Sequence, residues 1–490
     1  MNLSASEIIF FAAVLAGVAI RFLKLDQPLW LDEILDVNMA LKSVFEIPKD
    51  LISEGRYGTS PPLFYVLLHF WIDIFGRSET AMHFLPACIG AAGIMMVWRA
   101  GLRFFGHAGG LAAAAFLAVH PFHIAHSQEI RPYGLLVLLS IVCTLSLFTA
   151  QKEGGLKNWI FFAFASLANM LTHNYAFFLF MFHLFWVVFS TARKETAFTR
   201  DGKNAGIAFF LILSGYALWL PGLLAQYQKD LSPDLLPPGL NGLGLTLCSL
   251  AGLGIKIGVE DSHDMLKLRM VPALVGYAVS AICAFRVIPK ENKSIRDFLL
   301  LSLIVPIAMA FLVSFNKPIY DPCRHSIIAL PFLCLLWGLA VQSMKAEIWR
   351  IAVFFFCFLI SSSTIYGYFS MHKSYDRDIA GYIRAEIKPG YRIVIVPPDW
   401  IIPIAYYYPP AADLIVARPL LNSKNRPEGI ITLEIGKLAF PESLTDNLRK
   451  VYRFSKQKTF GNFAIIKLYV PAATASAPAC RPSGRCPPKS

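Results

Sequence analysis

The sequence predicts an all-α polytopic membrane domain of about 11 transmembrane helices, followed by a small α/β domain. Three observations carry that expectation: the composition, a ladder of apolar stretches, and a change of pattern after Phe369. The 490 residues are 56% hydrophobic and only 16% charged, with a mean hydropathy of +0.53. That balance excludes a soluble globular protein.

The apolar stretches fall near 8–25, 82–103, 108–125, 133–150, 158–174, 175–191, 205–222, 270–288, 297–315, 325–342 and 348–369. The first lacks a basic start and a small-residue cleavage site, so it reads as an anchor rather than a cleaved signal peptide. Basic residues cluster in alternate loops: Arg99 and Arg103, Lys152 and Lys157, Arg193 to Lys203, Arg286 to Arg296, Lys345 and Arg350. An odd number of spans with a cytoplasmic N-terminus puts all five clusters inside, as the positive-inside rule expects. Arg21 and Lys24 depart from it, at the outer end of the first span.

Two further apolar pieces would upset this alternation if they spanned. Pro61–Gly76 therefore reads as a helix packing at the outer face, and Gly242–Gly258 as a surface-lying or re-entrant segment. Both sit in the long outer loops 26–81 and 223–269, and loops of that length are usually functional.

Beyond residue 370 the pattern predicts a periplasmic α/β domain over 371–470. It has an amphipathic helix at Tyr375–Ile387 and strands at Tyr391–Val396, Ile430–Ile435 and Asn462–Val470. Residues 471–490, rich in Ala, Pro and Ser, read as disordered. From Met371 onward there are 18 Lys/Arg against 9 Asp/Glu. Such a surplus suits anionic headgroups or an acidic substrate, and nothing points to nucleic acid. Seven of the nine cysteines lie in or near apolar stretches and read as small core residues.

The chain is organised around Leu29-Trp30-Leu31-Asp32-Glu33, just past the first apolar stretch. Trp favours the headgroup layer, and a carboxylate held there usually faces protein or a cavity. The alternative is a solvated loop pair. Other polar residues recur at the ends of predicted spans on the same side: Arg56 and Tyr57, Glu129 to Tyr133 with Arg131, His173 to Tyr175, and Arg324 with His325. Arginines hold phosphate bidentately, and a carboxylate can serve as general base. His120, His123 and His126 recur every three residues and, with Glu129, offer a metal set; a polar seam of satisfied histidines is the preferred reading. No metal site is expected. No phosphate-binding glycine loop is visible, so an outward-facing enzyme would need its activated substrate delivered on a lipid.

The order of Leu29–Glu33, Pro61-Pro62-Leu63-Phe64-Tyr65, Phe75–Glu79, Ser127–Tyr133 and Thr172–Tyr175 resembles the bacterial integral-membrane glycosyltransferases of the GT-C fold, family 39. That family includes protein O-mannosyltransferases, and lipid A aminoarabinose transferases are similar. The resemblance covers about residues 8–340. It implies an inner-membrane enzyme that moves a sugar from a polyprenyl-phosphate donor to a periplasmic acceptor, with inversion. Asp32 would be the catalytic carboxylate and Glu33 its neighbour. Arg131 would hold the carrier phosphate with Arg324 or Arg56, since Ser60 stands where many relatives carry a His or Lys. Tyr57, Tyr133, His173, Tyr175 and His325 are the candidates for sugar or acceptor. The rival readings are a lipid-linked glycan flippase, which should show repeat symmetry and polar residues at the bilayer midplane, and a non-catalytic scaffold.

Overall fold

The computed structural model describes residues 3–53, 60–192, 198–228, 239–253, 274–275, 277–278, 281–282, 286–416, 427–435, 442–461 and 463–471. They divide into two compact units: Met1–Gln27 with Asp32–Lys373, and Pro28–Leu31 with Ser374–Ser490.

In the first unit, helix α1 (Ala5–Ile20) starts at a capping box. Glu7 accepts from the Ser4 backbone at 2.9 Å, and the Ser4 hydroxyl accepts from the Glu7 N–H at 3.4 Å. Then come α2 (Leu31–Ala40), α3 (Glu46–Ser53), α4 (Leu63–Phe75), α5 (Glu79–Phe104), α6 (His107–Ala118), α7 (Pro121–His126) and α8 (Tyr133–Glu153). They are followed by α9 (Leu156–Met170), α10 (Ala176–Ala192), α11 (Phe198–Ala217), α12 (Leu220–Gln228) and α13 (Leu240–Leu250). The last long helices are Lys293–Val313, Leu330–Ser343 and Glu347–Ser370. Among the described residues five helices are long and apolar enough to cross a membrane, or six counting the bent pair α11–α12; five more apolar helices run 10–17 residues. The chain is a multi-pass membrane protein.

The centre of this unit is α6, buried from Gly109 to Ala118. A Cβ on Gly101 of α5 would lie 2.5 Å from the Gly110 Cα, and one on Gly338 only 2.3 Å from the Gly109 carbonyl oxygen. Glycine is therefore required on both sides of α6, where small residues let helix backbones close together.

Two expected spans are interrupted, each at a proline. The stretch 108–125 breaks between α6 and α7, with His120 extended (φ −77°, ψ 120°) ahead of Pro121. A residue before proline is pushed out of the helical region, and Pro itself suits the first position of a new helix. The stretch 205–222 likewise bends by 54° between α11 and α12, next to Pro221. Pro61–Gly76 forms α4 and the start of Gly242–Gly258 falls in α13, while most of 270–288 lies outside the described residues.

The second unit is built on a four-stranded sheet of order β1 (Tyr391–Val396), β2 (Gly429–Ile435), β4 (Ala464–Pro471), β3 (Tyr452–Phe460). The β1–β2 pair is parallel and the others antiparallel. Val394, Ile430, Leu448, Tyr452 and Tyr469 form a core cluster beneath it. Helix Asp376–Glu386 opens the unit, and the Tyr407 hydroxyl accepts the Leu29 N–H at 2.6 Å. Residues 472–490, expected to be disordered, lie outside the described residues.

Candidate active site

Helix α2 presents the site. It begins at Leu31 and carries Asp32, Glu33 and Asp36 within its first six residues, where a helix N-terminus favours carboxylates. Asp32 and Asp36, four residues apart, share a face. Each meets arginine. Arg324 Nη1 is 3.0 Å from Asp32 Oδ2, and Arg131 Nη2 is 3.7 Å from the same oxygen. Arg131 Nη1 lies 3.2 Å from Asp36 Oδ2 and also donates to the Asp32 carbonyl at 3.2 Å.

Local folding explains why these arginines arrive. Arg131 sits in the tight turn between α7 and Pro132, the N-cap of α8. Arg324 lies in the short helix Pro322–His325, which Asp321 caps by accepting from the Cys323 N–H at 2.9 Å; Asp321 also lies 3.6 Å from Arg324 Nε.

The three acids have different surroundings. Asp32 is partly open, with 22% of its side chain exposed, whereas Asp36 is 1% exposed and Glu33 fully buried. Burial pushes the Asp36 carboxyl up to about 7, with Arg131 opposing and Asp32 adding to the rise. Glu33 goes the other way: burial opposes its ionisation, but the Lys373 ammonium holds it down to about 2. Arg131, its side chain 11% exposed, pays for desolvation, yet Asp36 and Asp32 keep it more firmly protonated than a free guanidinium.

Glu33, expected beside Asp32 as a catalytic acid, thus has its carboxylate engaged inside the protein. Its Oε1 accepts from Lys373 Nζ at 2.5 Å and from the Ile130 N–H at 2.9 Å. Tyr133 lies under Arg131, whose guanidinium carbon is 5.8 Å from the ring centroid. Tyr133, His173, His325 and Tyr175 form a run of aromatic contacts, with His325 stacked on Tyr175 at 4.0 Å. His173, Tyr175 and His325 also line a cavity of about 290 Å³ whose other walls include Phe178, Leu224 and Ile319. Arg56 and Tyr57 lie outside the described residues.

The histidine series does not converge. His126 Nδ1 is paired with Glu129 at 2.7 Å, His123 Nδ1 meets Arg21 at 2.6 Å, and His120 Nε2 meets the Leu250 carbonyl at 3.1 Å. Among the described residues no group of three or more His, Cys, Asp or Glu is placed to hold a metal ion.

Two residues escaped the sequence reading. Asp36 had a signal, since its i+4 spacing puts it under Asp32. Lys373 had none, because its partner is 340 positions away.

Along nearly its whole length the chain matches ArnT from Cupriavidus metallidurans in the apo state, with a TM-score of 0.60 at 11% identity, covering 95% of this chain and 98% of that one. The fold is that of the GT-C glycosyltransferases. ArnT from the same organism bound to undecaprenyl phosphate matches with a TM-score of 0.57 at 11% identity, covering 96% and 99%. The archaeal oligosaccharyltransferase AglB from Archaeoglobus fulgidus, in complex with an inhibitory peptide and a dolichol-phosphate, matches at 0.52 and 11%, covering 96% and 75%. Residues 59–219 match the family model described as dolichyl-phosphate-mannose-protein mannosyltransferase. No curated protein matches the chain.

Proposed function

We propose that this protein is an inverting glycosyltransferase moving a sugar from a polyprenyl-phosphate donor to an acceptor hydroxyl at the periplasmic face of the inner membrane. The observation that carries the reading is the convergence of two arginines on one partly open carboxylate, Arg324 at 3.0 Å and Arg131 at 3.7 Å from Asp32. Two guanidiniums beside one acid form a ready site for a phosphate, which can engage both forks.

Without donor, Asp32 bridges the two guanidiniums, with Asp36 and Asp321 beside them. Arrival of the carrier phosphate draws Arg131 and Arg324 to its oxygens and frees Asp32 for the acceptor. The acceptor oxygen attacks the anomeric carbon as its proton passes to the Asp32 carboxylate. The bond from that carbon to the phosphate oxygen breaks, and its electron pair leaves with the polyprenyl phosphate. Negative charge grows on that phosphate in the transition state, where fixed cations give most assistance. His173, Tyr175 and His325, on the cavity wall, supply ring faces and polar edges for sugar or acceptor.

Purified protein given undecaprenyl phosphate carrying labelled mannose, galacturonic acid or aminoarabinose, with membranes of a deletion strain as acceptor, tests the reading. Transfer of one label to a membrane component supports it. Movement of intact donor across a vesicle bilayer without transfer would instead make the protein a flippase.

A further inference from the structure

A buried cluster beside the site has a geometry that the transfer scheme does not use. Lys373, the last residue of the first unit, has a side chain only 2% exposed. Its ammonium has three protons and three acceptors: Glu33 Oε1 at 2.5 Å, His83 Nε2 at 3.0 Å and the Gln128 carbonyl at 3.2 Å. His83 Nδ1 faces the Glu79 carbonyl at 2.9 Å, which places the ring proton there and leaves Nε2 free to accept. A lysine buried with every proton satisfied is a fixed point.

What it fixes is Glu33 Oε1, and that one atom joins two segments. Glu33 follows Asp32 directly on α2. The N–H that Oε1 accepts at 2.9 Å belongs to Ile130, which directly precedes Arg131. The turn holding Ile130 is itself anchored, because the Gln128 side-chain amide donates to the carbonyls of Arg21 at 3.0 Å and Leu23 at 2.6 Å. So the acid and the phosphate arginine each sit one residue from the same carboxylate oxygen.

We propose that Lys373 is a positioning residue for sugar transfer, which holds Glu33 so that Asp32 and Arg131 keep the spacing the reaction needs. The inference rests on the transferase reading above. A displacement of about 1 Å in such a constellation can cost on the order of 100-fold in rate.

The test is a double-mutant cycle of Lys373→Met and Glu33→Gln, with Asp32→Asn as control, assayed with the donor sugar that the wild type uses. Lys373→Met strands a carboxylate without its cation, so kcat should fall about 10- to 100-fold while the donor KM stays within about threefold. Glu33→Gln can still accept the Ile130 N–H at the same oxygen, and its neutral amide needs no cation. Adding Lys373→Met to Glu33→Gln should therefore cost less than about threefold, a non-additivity that general destabilisation would not produce. If Lys373→Met alone fails to express, the comparison of the double variant with Glu33→Gln decides the matter. A further tenfold loss there means Lys373 acts elsewhere and overturns the proposal, as does wild-type kcat in Lys373→Met. Should Asp32→Asn retain transfer, it is the transferase assignment that fails; a dead Asp32→Asn with an additive cycle removes only the role of Lys373.

Discussion

Asp36 gives the account a prediction with a calculable size. Burial lifts its carboxyl from an ordinary 3.8 to about 7. A group whose folded pKa lies above its unfolded one adds stability that is complete below the unfolded value and lost as pH rises through the folded one. Here the loss runs from about pH 4 to about pH 7. A shift from 3.8 to about 7, at 1.36 kcal/mol per pH unit, amounts to about 4 kcal/mol at pH 8. Asp36→Asn keeps the shape and cannot ionise. Its thermal midpoint in detergent should match the wild type below about pH 3.8 and exceed it at pH 8. Arg131, however, loses the charge held 3.2 Å from its Nη1. Transfer should accordingly fall even as stability rises, as expected where a site is maintained at a cost in stability. An unchanged midpoint difference between the two pH values, or a variant less stable at pH 8, would refute the reasoning.

Three further outcomes are expected. Arg131→Lys retains the charge but not the planar fork that reaches Asp32 and Asp36 together, so undecaprenyl phosphate should bind several-fold more weakly with the fold intact; wild-type binding would reduce Arg131 to a headgroup anchor. Reversing the exposed charges at Arg449, Lys450 and Arg453 should lower acceptor use while sparing donor binding, and unchanged transfer would retire a docking role for the second unit. A reporter fused after Phe369 should be active only in its periplasmic form, because the five basic clusters alternate; cytoplasmic activity would invert the site's assigned side.

Much of the fold was legible because membrane helices and buried strands declare themselves by hydrophobicity. The strand Tyr391–Val396 has the bounds the pattern predicts, since its residues are mostly buried. The edge strand Tyr452–Phe460 was missed for the opposite reason: its seven residues between Tyr452 and Phe460 are all exposed, so no alternation marks it. The breaks at Pro121 and Pro221 were written in the sequence but hidden by apolar neighbours on both sides. At the site, residue types picked out Asp32, Arg131 and Arg324. Their meeting depends on tertiary packing across 99 and 292 positions, which no local pattern records. Glu33 shows the limit most sharply. Adjacency suggested a partner for Asp32, yet consecutive residues on a helix point about 100° apart, and Glu33 reaches Lys373 instead.

Asp32→Asn probes the proposed proton acceptor itself. It preserves shape at the point where Arg131 and Arg324 meet, and it removes the only proton acceptor the scheme uses. Transfer should fall by about 100- to 10,000-fold, the usual scale for loss of a general base. Expression and thermal stability should stay near those of the wild type, and undecaprenyl phosphate should bind at least as tightly, since Asp32 no longer competes for the two arginines. Wild-type transfer by Asp32→Asn would contradict the account at its centre.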